Sequence, residues 1–488
     1  MGVSSMSLLP KRFFCISFTI AEDVGKKRAV VIGSGPNGLA AAILLARAGC
    51  AVTVHEASAG IGGGARSAEL TLPGFVHDVC SAIHPMAVAS PCFEMFPLAE
   101  YGLEWVHPDA PVAHPLDDGT AVMLERSIEA TAAGLGPDGR AWKRIFGPYV
   151  KAWPELRHDV LAPLRMPANP VLMARLGLQG IRSASRFARS EFRGAPARAL
   201  FAGLAAHSIM PLDRPLSASI GMAMAITGHA CGWPFPRGGA QRLSDALAGY
   251  LRSLGGEIRT ESRVASLPDG DVVMCDVSPR QLLEIAGDRF PLDFRKRLAR
   301  FRYGPGVFKV DWALDAPVPW RAPECARAGT LHLGGTLEEI AEWEGRFTGR
   351  PFLLAAQHTL FDATRAPEGQ HTLWAYCHVP NGSAADMTDA IEAQVERFAP
   401  GFRARIIARH TMGPAELQLR NENLVGGDIA GGAMDLRQMF LRPTGMMYRT
   451  PLPNVFLCSA STPPGAAVHG MCGYHAVRNA EKLLAISY

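Results

Sequence analysis

The segment AVVIGSGPNGLAAAILLARAGCAVTVHE, residues 29–56, places a glycine-rich turn and an alanine-rich run between two short apolar stretches. Residues 29–32 and 51–55 are rich in valine and other apolar side chains, which is typical of buried parallel strands. Residues 39–48 are strong helix formers followed by Gly49, which predicts a helix with a glycine at its C-terminal cap. The segment therefore predicts a strand–helix–strand unit.

The turn GSGPNG, residues 33–38, has the glycine spacing of dinucleotide-binding units. Gly33 allows the tight turn, Gly35 lets a pyrophosphate approach the backbone, and Gly38 lets helix and strand pack closely. The helix N-terminus attracts phosphate through its free N–H groups. Glu56 ends the second strand about 20 residues later, where an acid binds ribose hydroxyls. We predict that a dinucleotide contacts Gly33, Gly35, Pro36, Asn37, Gly38 and Glu56.

A second glycine cluster, ASAGIGGGARS at residues 57–67, follows this acid directly. An NAD-binding unit is not expected to carry such a cluster with an arginine. The longer FAD molecule needs further close approach of the backbone and a cation near its pyrophosphate. We therefore predict FAD as the cofactor, with further contacts from Ala57, Gly63, Gly64 and Arg66.

Length and composition indicate a globular protein of two domains. The 488 residues exceed what one simple core holds, and 48% of them are hydrophobic. The net charge is +4 and the charges are interspersed, so we predict no nucleic-acid partner. None of the ten cysteines has CxxC or zinc-site spacing, which disfavours a dithiol centre and a metal site. Scattered single cysteines fit a reducing compartment, and we predict a cytoplasmic location.

The first 26 residues are a separate question. Lys11 and Arg12 precede FFCISFTI, residues 13–20, which faintly resembles a signal or transit segment. The apolar stretch is short and runs into acidic residues without a small-residue cleavage site. We interpret residues 1–26 as a disordered tail or the product of an upstream start codon, with a targeting segment as the alternative. No apolar segment reaches the roughly 18–20 residues that a transmembrane helix needs. Peripheral contact with a membrane remains an open alternative.

Three blocks resemble the superfamily of flavin amine oxidases, protoporphyrinogen oxidases and phytoene desaturases. GGGARS, residues 62–67, is similar to the fingerprint GG-R-x-R-[ST], with Gly64 in place of the first arginine. SASTPPGAAVHG, residues 459–470, is similar to G-x-x-T-x-P-G-x-G-[IV]-x-G, with serine and alanine in place of two glycines. PRGGAQRL, residues 236–243, and the later GGEI resemble the block that returns the chain to the FAD-binding domain.

The resemblance covers the chain from about residue 27 and implies an α/β fold. It implies a Rossmann-like FAD-binding domain, of the glutathione-reductase-like and amine-oxidase type, joined to a discontinuous α+β substrate domain. The FAD-binding domain is assigned residues 27–110, 226–290 and 451–488, and the substrate domain residues 111–225 and 291–450. Cofactor contacts are further implied at Val264, Ala460, Val468 and His469.

Two further segments, LPGFVHDVCSAIHP (residues 72–85) and FDATRAPEG (residues 361–369), look most like the phytoene desaturase-related branch. This branch includes the bacterial relatives of pyridine nucleotide-disulfide oxidoreductase domain-containing protein two. In the substrate domain, periodicity predicts helices at 142–153, 171–187, 196–206 and 387–397. It predicts strands at 306–314, 352–358 and 372–378.

The resemblance implies an FAD-dependent dehydrogenase, desaturase or oxidase, phytoene dehydrogenase-like, that transfers a hydride from a lipophilic or aromatic small molecule to flavin N5. O2 or a quinone would accept the electrons. Two alternatives stay open, a flavin amine oxidase and a non-redox flavoprotein that is an isomerase or a regulatory binding protein. The catalytic residues are unknown. His469, His84 and His229 are weak candidates, with structural histidines as the alternative. Segments 220–235 and 434–448 are candidate linings of an apolar tunnel, with plain core as the alternative.

Overall fold

The computed structural model describes residues 25–484. The interpretation of residues 1–26 therefore falls, apart from residues 25 and 26, outside the described residues. Numbered along the chain, the strands are β1 (Arg28–Ile32), β2 (Ala51–His55), β3 (Ser67–Glu69), β4 (Val76–Asp78), β5 (Trp105–Val106), β6 (Ala110–Pro115), β7 (Ala121–Leu124), β8 (Phe235–Pro236), β9 (Glu257–Arg259), β10 (Val272–Cys275), β11 (Gly306–Leu314), β12 (Ala328–Leu333), β13 (Leu353–Ala356), β14 (His371–Val379), β15 (Ile406–Met412) and β16 (Val455–Leu457).

The α-helices of the described part are numbered in the same way. They are α1 (Pro36–Arg47), α2 (Pro85–Val88), α3 (Pro91–Glu94), α4 (Ile128–Gly134), α5 (Gly139–Lys151), α6 (Trp153–Val160), α7 (Pro170–Gly180), α8 (Ala184–Glu191), α9 (Ala195–Ala206), α10 (Ser217–Ala230), α11 (Gln241–Ser253), α12 (Pro279–Ala286), α13 (Leu292–Ala299), α14 (Leu337–Arg346), α15 (Thr388–Phe398), α16 (Pro414–Arg420), α17 (Leu436–Leu441) and α18 (Met471–Leu484).

A parallel sheet of five strands forms the first unit, in the order β16-β10-β1-β2-β9. The apolar run of β1 is buried on both faces, as expected for a central parallel strand. Helix α1 packs between α11 and α18, and its alanines leave room for these neighbours. A side chain on Gly473 of α18 would overlap the carbonyl oxygen of Asn37 in α1. The predicted α/β fold with a Rossmann-like unit is confirmed.

A second, mixed sheet has seven strands in the order β15-β11-β14-β13-β12-β6-β7. Its neighbours are antiparallel except for β6 and β12, which run parallel. Helices α4 to α10 pack beside this sheet around buried aromatic side chains such as Trp142, Phe187 and Phe201. These three rings and their neighbours give the helices a rigid core, since aromatic pairs there lie 4.4–6.4 Å apart.

The sequence-based elements agree with the structure except at one helix. The three expected strands correspond to β11, β13 and β14. The helices expected at 142–153, 196–206 and 387–397 correspond to α5, α9 and α15. The prediction of a single helix at 171–187 is wrong, because the chain forms two helices there, α7 and α8, with a break between them. Ser183 caps α8 through its hydroxyl, which accepts a hydrogen bond from Arg186 N–H.

The two sheets draw their strands from different parts of the chain. All strands of the five-stranded sheet lie within residues 27–110, 226–290 and 451–488. The strands of the seven-stranded sheet begin at Ala110 and otherwise lie within 111–225 and 291–450. The assignment of these ranges to two functional domains stays a prediction.

Candidate functional site

The turn between β1 and α1 lies against the C-terminal end of β10. Gly33 has φ +98°, and a Cβ there would lie 2.7 Å from the carbonyl oxygen of Asp276. A Cβ on Gly35 would lie 2.6 Å from Asp276 Oδ2, and one on Gly38 would overlap the Gly33 carbonyl oxygen. Since no side chain fits at these three positions, the turn presents bare backbone, which is what close approach of a phosphate requires.

The carboxylate of Glu56, directly after β2, is held by three hydrogen bonds. Ser34 donates to Oε2 through its N–H at 3.0 Å and through its hydroxyl at 2.6 Å. Ser58 N–H donates to Oε1 at 2.9 Å. A carboxylate has about four acceptor positions, so one remains for a ligand hydroxyl. The carboxylate is half-buried at the cavity wall, and these hydrogen bonds fix its orientation.

One cavity of about 860 Å³ extends from this turn to the seven-stranded sheet. Its volume lies in the upper part of the range of about 300–1,000 Å³ that is common for ligand pockets. Twelve of the fourteen predicted cofactor-contact residues line it: Gly33, Gly35, Pro36, Asn37, Glu56, Ala57, Gly63, Gly64, Arg66, Val264, Ala460 and Val468. Gly38 lies behind the turn, and His469 is not among the described lining residues.

The second glycine cluster meets the first turn. Gly63 has φ +55°, and a Cβ there would lie 3.1 Å from Gly35 Cα. Arg66 is held beside both turns, because its Nε donates to the Gly63 carbonyl at 2.9 Å and its Nη2 to the Arg420 carbonyl at 2.6 Å. The two glycine turns and one guanidinium therefore surround the same part of the cavity.

A buried arginine supports the cavity wall near the C-terminus. Arg442 is 1% exposed, and its Nη2 donates to the carbonyls of Gly431 at 2.6 Å and Ala460 at 3.0 Å. Its Nε donates to the Ser461 carbonyl at 3.3 Å. Arg442 thus joins two lining segments that are distant in sequence. The sequence analysis missed it, because its partners are backbone carbonyls and carry no motif.

The structure contradicts the expectation that His469 faces the cavity. Its Nδ1 accepts a hydrogen bond from Met471 N–H at 3.0 Å, and the residue is 1% exposed. Burial lowers the pKa of this imidazole to about 3, so the ring is neutral. Because the ring satisfies the first N–H of α18, we assign it no catalytic role.

The other two histidine candidates differ in position. His229 does not line the cavity; its Nε2 accepts from Trp142 Nε1 at 2.9 Å, which makes it a core residue and corrects its candidacy. His84 does line the cavity, with its Nε2 2.8 Å from the Ser81 hydroxyl. Burial lowers the pKa of His84 to about 4, so it is neutral near pH 7. His84 therefore remains a candidate.

The far part of the cavity is an apolar chamber between α10 and the seven-stranded sheet. Helix α10 contributes Ile220, Ala223 and Met224, and the sheet contributes Thr330, Leu354, Ala355, Trp374 and Tyr376. The rings of Trp374 and Tyr376 meet edge to face, with centroids 5.1 Å apart. We call this space the chamber. It fits a ligand with a large apolar surface.

An imidazole that the sequence analysis missed also lines the chamber. His207 follows α9, and its Nε2 lies 3.1 Å from Nε2 of the buried His332. One ring must donate and the other accept. Burial lowers the pKa of His207 to about 3, so this ring is neutral. The hydrogen bond between the two neutral rings fixes the orientation of each. No local signal marks this pair, because the two residues are 125 positions apart.

The sheet that forms the chamber also carries a buried ion pair on the same face. Register places Tyr376 opposite Lys309 and Trp374 opposite Asp311, and residues directly opposite in antiparallel strands point to one side. The Lys309 ammonium is paired with Asp311 and lies 6.0 Å from the Trp374 ring centre. Burial lowers the pKa of Lys309. Neither Lys309 nor Asp311 is among the described residues that line the cavity.

The chain matches known proteins both locally and over most of its length. A family model described as NAD(P)-binding Rossmann-like domain matches residues 31–96. Pyridine nucleotide-disulfide oxidoreductase domain-containing protein 2 of Mus musculus is 28% identical, over 92% of each chain. Phytoene dehydrogenase of Streptomyces griseus is 25% identical, over 90% of this chain and 92% of its own.

Solved structures share the fold at lower identity. A putrescine oxidase structure superposes with a TM-score of 0.62 at 16% identity, over 94% of this chain and 99% of its own. At this identity the likeness establishes the fold alone. The relatives of similar length bear out the predicted resemblance to the phytoene desaturase-related branch of the flavin amine oxidase and protoporphyrinogen oxidase superfamily, a group of oxidoreductases.

Proposed function

We propose that this protein is an FAD-dependent, phytoene dehydrogenase-like oxidoreductase that removes a hydride from an apolar or aromatic small molecule held in the chamber. The observation that carries the proposal is that one cavity joins the glycine turns to the chamber. A dinucleotide lying along the turns would extend toward the apolar walls formed by α10 and the seven-stranded sheet. A site for NAD alone would need only the first turn and Glu56.

The residues present fit FAD. The closely approaching glycines leave room for a pyrophosphate at two turns, and Arg66 places a cation beside them. Val264, Ala460 and Val468 also line the cavity. We propose these contacts for FAD: Gly33, Gly35, Pro36, Asn37, Glu56, Ala57, Gly63, Gly64, Arg66, Val264, Ala460 and Val468, with Gly38 supporting the turn from behind.

Bound FAD would supply the oxidant, accepting a hydride at N5 and passing the electrons to O2 or a quinone. The chain supplies orientation and a dry site. Trp374, Tyr376 and Met224 pack against an apolar substrate and exclude water from it. His84 and His207 are neutral, so each offers one hydrogen bond without a charge. This arrangement suits oxidation at carbon, which needs little acid–base assistance.

The walls of the chamber favour a neutral substrate over an amine. In the described part, neither α10 nor the seven-stranded sheet contributes an acidic side chain to the cavity lining. Asp311, the nearest carboxylate on that sheet face, is already paired with Lys309. An ammonium group would therefore lose its hydration without gaining a counter-charge. We keep the flavin amine oxidase as the second candidate on the strength of the shared fold.

The purified protein is expected to be yellow, and an apolar substrate is expected to bleach its flavin absorbance under anaerobic conditions. A panel of carotenoid precursors, apolar cyclic alkenes, quinols and primary amines separates the candidates. Bleaching by apolar alkenes alone supports the proposal, and bleaching by amines alone supports the amine oxidase. Product formation without electron consumption would instead indicate an isomerase. A folded protein that binds no added FAD contradicts the proposal as a whole.

FAD is expected to bind more weakly as the pH rises through 7. Asp276 lies at the glycine turn, where its Oδ2 accepts from Gly38 N–H at 2.9 Å. Burial, with repulsion from Glu56, raises the pKa of this carboxyl to about 7. Below that pH the group is neutral beside the pyrophosphate, and above it a negative charge repels the cofactor. The dissociation constant should increase by up to about tenfold per pH unit between pH 7 and 9.

The control for this pH dependence is Asp276→Asn, which keeps the size of the side chain but cannot ionise. Its dissociation constant for FAD, measured by fluorescence titration, is expected to change little over the same range. Parallel profiles for the variant and the unaltered protein would show that another group is responsible.

A further inference from the structure

One ring nitrogen of His207 is open to the chamber. The other, Nε2, lies 3.1 Å from Nε2 of His332. Within the described residues Nδ1 has no hydrogen-bond partner, and it is not enclosed by protein atoms. Because His207 lines the cavity, the chamber is the space that Nδ1 reaches. An apolar wall therefore carries one accessible polar atom.

Neighbouring rings hold His207 in this orientation. Its hydrogen bond to His332 fixes one edge, and the Trp233 ring meets it edge to face with centroids 5.2 Å apart. His332 is itself fully buried beside α9, where a Cβ on Gly203 would lie 2.6 Å from its Nδ1. Since both neighbouring rings are buried, the open nitrogen of His207 is pre-organised for a ligand.

The open nitrogen offers one hydrogen bond without a charge. Burial lowers the pKa of His207 to about 3, so the ring carries a single N–H near pH 7. If His332 donates within the pair, Nδ1 of His207 is a donor, and if His207 donates, Nδ1 is an acceptor. A hydroxyl group both donates and accepts, so it matches either arrangement. A carboxylate would lose its hydration beside a neutral ring without gaining a counter-charge.

His207 lies at the end of the chamber that is remote from the glycine turns. Register places His332 of β12 opposite Leu354 of β13, and Leu354 opposite Tyr376 of β14. Tyr376 belongs to the side of the turns, because burial and the nearby Cys80 thiol raise the pKa of its hydroxyl, and Cys80 lies beside the second glycine cluster. Neighbouring strands are about 4.8 Å apart, so roughly 10 Å separates the backbones of β12 and β14.

Two buried histidines near His207 keep their nitrogens inside the protein. His114 Nε2 lies 2.7 Å from the Gly335 carbonyl oxygen, and its Nδ1 is enclosed. Nδ1 of His332 is enclosed as well. His207 differs because its second nitrogen reaches a cavity. A purely apolar ligand would strip this nitrogen of water and leave it unpaired, which opposes binding.

We propose that the chamber takes an apolar molecule with a hydroxyl group at the end remote from the flavin, and that Nδ1 of His207 binds this hydroxyl. The inference rests on the proposed function, because it concerns the same site. The apolar body of the substrate then lies against Trp374 and Tyr376, on the side of the glycine turns. No bond of the hydroxyl is made or broken. His207 is a specificity-determining residue, since binding of a remote group positions the bond that reacts.

The experiment is anaerobic equilibrium dialysis of the FAD-loaded protein against three compounds with one ring system, naphthalene, 2-naphthol and 2-naphthoate. We expect 2-naphthol to bind about threefold to tenfold more tightly than naphthalene, the range for one neutral hydrogen bond. We expect 2-naphthoate to bind more weakly than either, because its charge finds no counter-ion. Equal or weaker binding of 2-naphthol than of naphthalene to the unaltered protein would overturn the proposal.

Two variants of His207 separate binding from packing. His207→Leu is expected to reverse the order of the two neutral compounds, because the hydroxyl of 2-naphthol is then buried without a partner. Unchanged binding of naphthalene shows that the chamber of this variant is intact. His207→Asn keeps a hydrogen-bonding group near the position of Nδ1 and should retain the preference for 2-naphthol. Loss of the preference in both variants would assign the effect to the contact with His332 and contradict the proposal.

The matched control is Thr330→Val. Thr330 also lines the cavity, but its hydroxyl is enclosed in protein without a partner. The variant removes one polar group from the same wall and should keep the preference for 2-naphthol. The opposite pattern, in which Thr330→Val loses the preference and His207→Leu keeps it, would place the hydroxyl elsewhere and refute the assignment to His207.

The hydroxyl site and the proposed redox function fail in different ways. Dialysis measures binding whether or not the flavin is reduced, whereas anaerobic bleaching measures hydride transfer. A preference for 2-naphthol without bleaching by any apolar compound would contradict the redox function and support the site. Bleaching by apolar compounds without such a preference would contradict the site alone.

Discussion

The variant Gly38→Ala is expected to fold but to leave purification without FAD. An alanine Cβ at this position would overlap the carbonyl oxygen of Gly33 and lie 3.1 Å from the Asp276 side chain. Both neighbours are fixed, so α1 must move away from β1. Overpacking of this kind costs about 1–3 kcal/mol. Because the displaced helix N-terminus is part of the proposed phosphate site, we expect at least about 100-fold weaker binding of added FAD.

The matched control is Gly345→Ala. Gly345 also lies inside a helix, α14, and a Cβ there would have no atom within 4 Å. Both substitutions gain the same helix propensity, so a difference between them reports the contact and not the helix. Absorbance at the flavin bands and fluorescence titration with FAD give the result. Full retention of FAD by Gly38→Ala would show that the turn does not hold the phosphates.

A second large effect is expected for Arg365→Met, on stability. Arg365 and Asp78 are both fully buried, and Arg365 Nη1 lies 2.8 Å from Asp78 Oδ2. Burial alone would raise the pKa of Asp78, but the charge of Arg365 and the Ala240 N–H hold it below its ordinary value. Without the guanidinium, the ionisable group that remains beside the Asp78 carboxylate is His358 at 3.5 Å, which is neutral near pH 7 because burial lowers its pKa to about 3. The free energy of unfolding should fall by about 3–5 kcal/mol.

Urea unfolding followed by tryptophan fluorescence measures this loss. The double variant Asp78→Asn/Arg365→Met is expected to recover part of it, because the remaining side chain is neutral. Arg259→Met is the control for an exposed pair, since Arg259 and Glu257 are both 53% exposed. It should leave the free energy of unfolding almost unchanged, because exposed ion pairs contribute little. If Arg365→Met were as mild as Arg259→Met, the buried pair would not be a major source of stability.

This ion pair also joins the two distant segments that resemble the phytoene desaturase-related branch. Residues 72–85 and 361–369 were grouped only by resemblance, and the structure brings them into contact through Asp78 and Arg365. Asp78 further accepts hydrogen bonds from Ser67 Oγ and Ala240 N–H, both at 2.7 Å. Four separate stretches of chain therefore meet at one carboxylate. A sequence pattern can mark each stretch but cannot reveal the meeting point.

The glycine turns could be predicted because their backbone geometry requires glycine. Gly33, Gly35 and Gly63 are recognisable in sequence, since only glycine leaves room for a ligand at such turns. Strands β11 and β14 were equally clear, because long apolar runs with regular spacing need no knowledge of partners.

Side-chain direction could not be predicted in the same way. His469 lies in a recognised cofactor block, yet its ring turns toward α18 and bonds Met471 N–H. His207 lies in no motif, yet it faces the chamber because α9 ends there. The direction of each ring is set by packing between segments that are far apart in sequence. Arg442 and Asp276 were missed for the same reason.

The order of strands in the five-stranded sheet has a consequence for biosynthesis. Strand β16, which completes one edge, and α18, which packs on α1, are the last parts of the described chain to be translated. While they are still on the ribosome, the nascent protein lacks Ala460, Val468 and the helix that supports the glycine turn. The proposed FAD could therefore be enclosed only after these segments have left the ribosome and folded. We expect a chain truncated before residue 455 to retain no FAD.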